Sequence, residues 1–210
     1  MRTLSIDVVS DVVCPWCLIG VRRLDLALEA LPDVEAEVRF HPFLLDPSTP
    51  EEGEDLRERL QRKYGMEPET MFARVEAAAR ESGLPLDFTK VTRSVATARA
   101  HTLIRHALER GTQGALKRAI LAAYFLEGRD VGDVDVLAEI ASGHGFDEEE
   151  ARALLRDDQE LRATRAAASA VASQGISGVP FFILGRRLAL SGAQPVEVMK
   201  EAIERALAEG

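Results

Sequence analysis

Apolar and polar side chains alternate over residues 3–9, where the β-branched Ile6, Val8 and Val9 give the pattern of a strand. The period then changes. From Cys14 to about Leu31 a helical spacing aligns Leu18, Val21, Leu24, Leu28 and Leu31 on one face. Pro15 suits its first turn, because a proline's missing N–H would have had no partner there, and Leu31-Pro32-Asp33 stops it. Period two returns over 34–40, where Val34, Ala36, Val38 and Phe40 alternate with Glu35, Glu37 and Arg39.

After the proline-punctuated loop His41–Pro50, no run of period two occurs until about Gly175. The intervening pattern predicts helices over 52–64, 68–82, 94–110, 113–127, 133–143, 147–155 and 158–174, an all-helical block. They are separated by Gly65, Gly83-Leu84-Pro85, Gly111, Gly128 with Gly132, and Gly143-His144-Gly145. Asp133 and Asp147 are the expected N-caps, the second followed by Glu148-Glu149-Glu150 at the positive end of the helix dipole. The tail predicts a strand over 178–184, a tight turn at Gly185-Arg186, a hairpin partner over 187–190 and a last helix carrying Val196, Met199, Ile203 and Leu207.

The order is β-α-β, a helical insert, then α-β-β-α. This predicts an α/β thioredoxin fold with a large all-helical domain inserted after the second strand. The expected division is residues 1–50 with 158–210 for the thioredoxin-like domain and 51–157 for the helical insertion.

Composition narrows the function. A hydrophobic fraction of 46% with 29% charged residues suffices for a real core. The net charge of −9 argues against nucleic acid or an anionic membrane as partner, since few cations are free to displace counterions. No stretch has the form of a signal peptide or reaches the length of a membrane span, so a cytoplasmic protein is expected.

The chain holds two cysteines, and they form Cys14-Pro15-Trp16-Cys17 where the first strand gives way to the first helix. Two are too few for a disulfide framework, so a catalytic or transient pair is favoured. Partial positive charge at a helix N-terminus favours the thiolate at Cys14, and Cys17, one turn deeper, is placed to attack Cys14 once it is joined to a substrate. Attack, mixed disulfide and resolution make up thiol–disulfide exchange. The alternatives are half a zinc site or two inert thiols. Zinc needs four ligands, and His41, His101, His106 and His144 show no paired spacing near Cys14, so no metal is expected. Val179-Pro180, after Gly178 and at a strand entry, reads by itself as an ordinary trans bond.

Ser10-Asp11-x-x-Cys14-Pro15-Trp16-Cys17 with Gly20 and Arg22-Arg23, Pro42-Phe43-x-Leu45-x-Pro47, Ala100-His101-x-Leu103, Ala123-Tyr124-Phe125-x-Glu127-Gly128, Gly175-Ile176-x-Gly178-Val179-Pro180 and Gly192-Ala193-Gln194 together resemble the DsbA-like thioredoxin-fold proteins, FrnE-type branch. The resemblance implies a thiol–disulfide oxidoreductase or isomerase, a cis bond at Pro180 and a groove between the two domains. A cis bond there would leave the Val179 backbone free to pair with an extended substrate. The branch is related to 2-hydroxychromene-2-carboxylate isomerase and kappa-class glutathione transferases, which typically carry serine at the first position. Cys14 here favours redox chemistry. Periplasmic oxidising relatives usually have Pro-His between the cysteines; with Trp16 the couple is expected to be less oxidising. Where an Asn-Thr pair commonly precedes the Ala-His motif, this chain has Ala96-Thr97.

The expectation is a cytosolic reductase or isomerase with Cys14 and Cys17 as catalytic residues and Pro15, Trp16, Val179, Pro180 and Phe43 as substrate-binding residues. Its partners would be a disulfide-containing protein or small molecule and a cellular thiol reductant, with no tightly bound cofactor and with glutathione as co-substrate. The protein would be a monomer or homodimer. The alternative is a glutathione-dependent isomerase or transferase acting on a small aromatic or polyketide-like molecule; a third reading is a binding module whose thiols sense oxidation. Asp11 reads as a turn residue able to relay a proton, and His101 as a hydrogen-bonded helix residue.

Overall fold

The first strand, β1 (Arg2–Ser10), lies inside the sheet, which is why Leu4, Ile6, Val8, Val9 and Ser10 are all buried. On one side it pairs in parallel with β2 (Val34–Pro42), from Arg2 opposite Val34 to Ser10 opposite Pro42. On the other it pairs antiparallel with β5 (Phe181–Leu184), which continues antiparallel into β6 (Leu188–Ser191). The sheet order is β2-β1-β5-β6. This computed structural model describes residues 2–209.

The register decides where the site forms. β1 and β2 end side by side at Ser10 and Pro42, and β5 begins with Phe181 opposite Val9. The cysteine turn, the 43–50 loop and Val179-Pro180 therefore meet at one end of the sheet. The helix α1 (Pro15–Glu29) packs against the last helix, α9 (Val196–Ala208), which in turn covers β1, β5 and β6. Between β2 and β5 come α2 (Leu56–Tyr64), α3 (Pro68–Glu81), α4 (Ala98–His106), α5 (Gln113–Phe125), α6 (Val134–Ser142), α7 (Glu148–Arg156) and α8 (Asp158–Ala172); of these, α4, α5 and α8 lie along β2. This is the expected thioredoxin fold with helices inserted after its second strand. Tyr124 and Phe125 fill the helical core, where Phe125 meets Phe88 edge-on and Phe88 stacks on Phe72.

The insert is not wholly helical. Glu54–Asp55 (β3) pairs antiparallel with Arg93–Ser94 (β4), a ladder too short to leave a period-two signal. Gly53 permits it: its φ is +70°, and a Cβ there would stand 2.8 Å from the Ser94 carbonyl. The two helices expected from 52 and 94 accordingly begin later, at Leu56 and Ala98. β5 also starts later than expected, at Phe181, because Pro180 has no N–H for the ladder; its carbonyl instead accepts from Gly192 at 2.8 Å. The hairpin partner begins at Leu188, after a loop in which Gly185 and Arg186 both take positive φ (57° and 61°). Asp133 and Asp147 cap α6 and α7 through their side chains. No helix among the described residues is long and apolar enough to cross a membrane.

Candidate active site

Cys14 is the N-cap of α1, in extended conformation with no side-chain capping bond, so its sulfur is not committed to the helix. Its carbonyl accepts from Cys17 N–H at 2.9 Å, which winds Cys17 directly behind it. Both thiols are free, and the two residues approach to 3.3 Å. Cys17 is fully buried, whereas Cys14 retains 4% exposure. Burial pushes the Cys17 thiol well above its usual range; the hydrogen bond and charge of Cys14 push the same way, and Lys117 opposes them.

The Val179–Pro180 peptide is cis, as the resemblance implies. The Val179 carbonyl is not free for substrate in this state: it accepts from Cys14 Sγ at 3.6 Å. Pro180 rests against α1 at Gly20, where a Cβ would stand 2.8 Å from Pro180 Cγ and 3.2 Å from the Phe182 ring. Glycine at this position lets the two segments close around the thiol.

Beneath the cysteines lies a buried polar group. Asp11 Oδ1 accepts from Val12 N–H at 2.7 Å and pairs with His101 Nε2 at 3.0 Å, while Oδ2 accepts from Leu45 N–H at 2.8 Å. Burial alone would raise the Asp11 pKa, but the His101 hydrogen bond and charge, the Leu45 bond and the charge of Lys117 outweigh it and leave it lowered. The His101 pKa is lowered mainly by burial, against the pull of Asp11 and with the help of Lys117. Lys117, from the middle of α5, is fully buried, its Nζ has no hydrogen-bond partner among the described residues, and burial brings its pKa down to about 8.

Of the other predicted residues, Pro15 opens α1 and Trp16 is half-buried, with the Arg74 guanidinium 5.9 Å from its ring centre. Phe43 is tied to the floor of the site through its backbone: its N–H donates to the Ser10 carbonyl at 3.3 Å, and its backbone also reaches the His101 ring. None of the five predicted substrate-binding residues lines the small cavity, about 90 Å³, that opens beside Asp11 and Val13 between the 45–49 loop, α2 and Tyr124. Asp11 and His101, which the sequence marks as a turn residue able to relay a proton and a hydrogen-bonded helix residue, prove to be partners. Lys117 belongs to no sequence motif of the site, although its spacing from Gln113, Leu121 and Tyr124 puts it on the apolar face of α5.

A sequence model of the DSBA-like thioredoxin domain matches residues 5–204. The uncharacterized protein YwbO of Bacillus subtilis (strain 168) is 27% identical over 203 residues, covering 96% of each chain. The crystal structure of the probable DsbA oxidoreductase SCO1869 from Streptomyces coelicolor superposes with a TM-score of 0.89 at 35% identity, over 99% of this chain and 91% of that one. The cytosolic disulfide reductase DsbM from Pseudomonas aeruginosa, solved with GSH, shares the fold at 20% identity, with a TM-score of 0.64 over 98% of this chain and 96% of that one.

Proposed function

The chain belongs to the DSBA-like thioredoxin domain family, and from that premise we propose that it is a cytoplasmic thiol–disulfide oxidoreductase, a reductase or isomerase, working through Cys14 and Cys17. The observation that carries this reading is the placement of Cys14 Sγ at the open end of α1, against the Val179 carbonyl, with Cys17 buried behind it. The Cys14 thiolate attacks a substrate disulfide, a Cys14–substrate S–S bond forms, and one substrate sulfur leaves as thiolate. Cys17 then gives up its proton and attacks Cys14 Sγ, the mixed disulfide breaks, and the second substrate sulfur leaves and is protonated. Two electrons pass from the cysteine pair to the substrate, and a cellular thiol restores the pair.

Substrate enters, on this reading, between the thioredoxin-like part (1–50 and 158–210) and the helical insertion (51–157). There Pro15, Trp16, Pro180 and Phe43 line its path, and the Val179 backbone pairs with that of the substrate once the substrate displaces the Cys14 thiol from the Val179 carbonyl. Disulfide-containing proteins or small molecules are the substrates. Glutathione is the proposed thiol reductant; the shared fold with the GSH-bearing DsbM structure supports naming it. Absence of binding heat at millimolar glutathione removes it while leaving the exchange chemistry intact.

The central test is substitution of each cysteine. Cys14→Ser abolishes reduction of insulin or a small disulfide, and Cys17→Ser accumulates a mixed disulfide on Cys14. Activity that survives Cys14→Ser overturns the reading.

A further inference from the structure

An ammonium sealed in a protein interior without a hydrogen-bond partner is among the more destabilising groups a core can contain. Lys117 occupies such a place. On its own helix the buried neighbours include Leu116, Ile120 and Leu121, so a leucine at 117 would simply continue the apolar face. Nothing in the packing of α5 calls for a charge there. Among the described residues the carboxylate whose charge acts on Lys117 is Asp11, and it is already committed to Val12, Leu45 and His101. The titratable groups that face Lys117 are Cys14 and Cys17 from α1, Asp11 from the end of β1 and His101 from α4, and Cys17 feels its charge most strongly.

We propose that Lys117 is a positioning residue for disulfide exchange, its buried ammonium stabilising Cys17 as a thiolate while that sulfur attacks the mixed disulfide on Cys14. The inference rests on the thiol–disulfide reading above and deepens it. Cys17 is the group that needs such help: it is the more buried sulfur, and a buried thiol without a nearby cation resists ionisation. In the step itself, Cys17 Sγ loses its proton and forms the bond to Cys14 Sγ. The bond from Cys14 to the substrate sulfur breaks, and that sulfur leaves with the electron pair and takes up a proton equivalent to the one Cys17 released. At neutral pH Lys117 remains an ammonium throughout the step and contributes only its field. The positive charge faces the cysteines from the helical insert, so the insert supplies part of the redox centre as well as covering it.

The test loads Cys14 with 2-nitro-5-thiobenzoate from its symmetrical disulfide and follows release of the coloured thiol as Cys17 attacks, over a range of pH. The proposal predicts that Lys117→Met slows release on the order of tenfold at neutral pH, as a Cys17 pKa higher by about one would, and that the difference between the two proteins narrows above pH 8, where Lys117 loses its charge. Formation of the adduct, measured in the Cys17→Ser background, slows less than release does, because Cys14 is coupled to Lys117 more weakly than Cys17 is. Lys117→Gln is the second variant should the methionine protein not fold, with the same expectation. If the unsubstituted protein releases no thiol, the thiol–disulfide reading itself fails. If it does release thiol and the folded Lys117 variant matches it in rate and pH profile, the role assigned to Lys117 fails alone.

Discussion

Asp11 Oδ1 and His101 Nε2 lie 3.0 Å apart with both side chains cut off from solvent. They join the end of β1 to α4 directly beneath the cysteines. Burial holds the His101 pKa below that of an exposed histidine, so the unfolded chain takes up a proton there before the folded one does. Stability is therefore complete above about pH 6.5, the unfolded value, and falls as pH drops below it. The Asp11 pKa is lowered as well; its contribution is present above the unfolded aspartate value and is lost as pH falls through the folded one. Urea unfolding between pH 7.5 and 5 should show the wild-type midpoint declining and His101→Gln declining less. Parallel curves would remove His101 from the acid response.

Lys117 produces a slope of the same sign at alkaline pH. Its pKa is about 8 in the folded protein against 10.5 for an ordinary lysine, so from pH 8 to 10.5 the unfolded chain binds more protons, and this residue's contribution to stability rises with pH. Below pH 8 the buried charge costs about 3 kcal/mol, since each tenfold change in a proton-binding constant is worth roughly 1.4 kcal/mol. Lys117→Met should be the more stable protein at pH 7, with its advantage shrinking as pH rises through 8 to 10.5. Comparing the two proteins cancels Tyr124, whose raised value acts in the other direction; the Cys17 thiol, raised further once Lys117 is gone, only adds to that shrinkage. A variant less stable than wild type at pH 7 would show that the ammonium has a structural partner after all.

Much of this architecture is written in local periodicity. The alternation of Val34–Phe40 and the helical spacing from Leu18 to Leu31 report β2 and α1 because each is long enough to repeat its pattern several times. The two-residue pairing of β3 with β4 repeats nothing, so no pattern could reveal it. Cys14 and Cys17 are legible because both sit in one turn. Val179 comes to the same site only through a resemblance, since 165 positions separate it from the Cys14 sulfur it touches. Lys117 stays hidden for a different reason. A lysine every turn or two is what a solvated helix face looks like, and only the buried surroundings of Gln113, Leu121 and Tyr124 distinguish this one.

Gln113 opens α5 and closes the free edge of the sheet. Its side-chain amide accepts from Phe40 N–H at 2.9 Å and donates to the Phe40 carbonyl at 3.1 Å, in the manner of a neighbouring strand. Both residues are buried, so removing the amide leaves a backbone donor and an acceptor without partners. Gln113→Ala should lower stability by about 2–6 kcal/mol, taking roughly 1–3 kcal/mol for each of the two orphaned groups. Thermal or urea unfolding measures it, and a loss under about 0.5 kcal/mol, the range of ordinary surface substitutions, would mean that solvent satisfies Phe40.

The close approach of Gly20 to Pro180 separates packing from chemistry. An alanine Cβ at position 20 would stand 2.8 Å from Pro180 Cγ, inside any permissible contact, and the ring atom it meets cannot swing aside as a flexible side chain would. Within α1 alanine is itself the better helix former, by about 1 kcal/mol over glycine. Local propensity therefore predicts a small gain, whereas overpacking predicts a loss of about 1–3 kcal/mol. The contact should win, because β5 follows immediately and Phe182 closes the remaining space at 3.2 Å. The segment that must yield carries the Val179 carbonyl now in contact with Cys14 Sγ. Gly20→Ala should accordingly lower the unfolding midpoint and also change the rate at which Cys14 reacts with a small disulfide, while a mutation of equal cost elsewhere, such as Gln113→Ala, lowers the midpoint without changing that rate. If Gly20→Ala stabilises the protein and leaves Cys14 reactivity as it was, α1 and the Val179-Pro180 segment are not held in register by this contact.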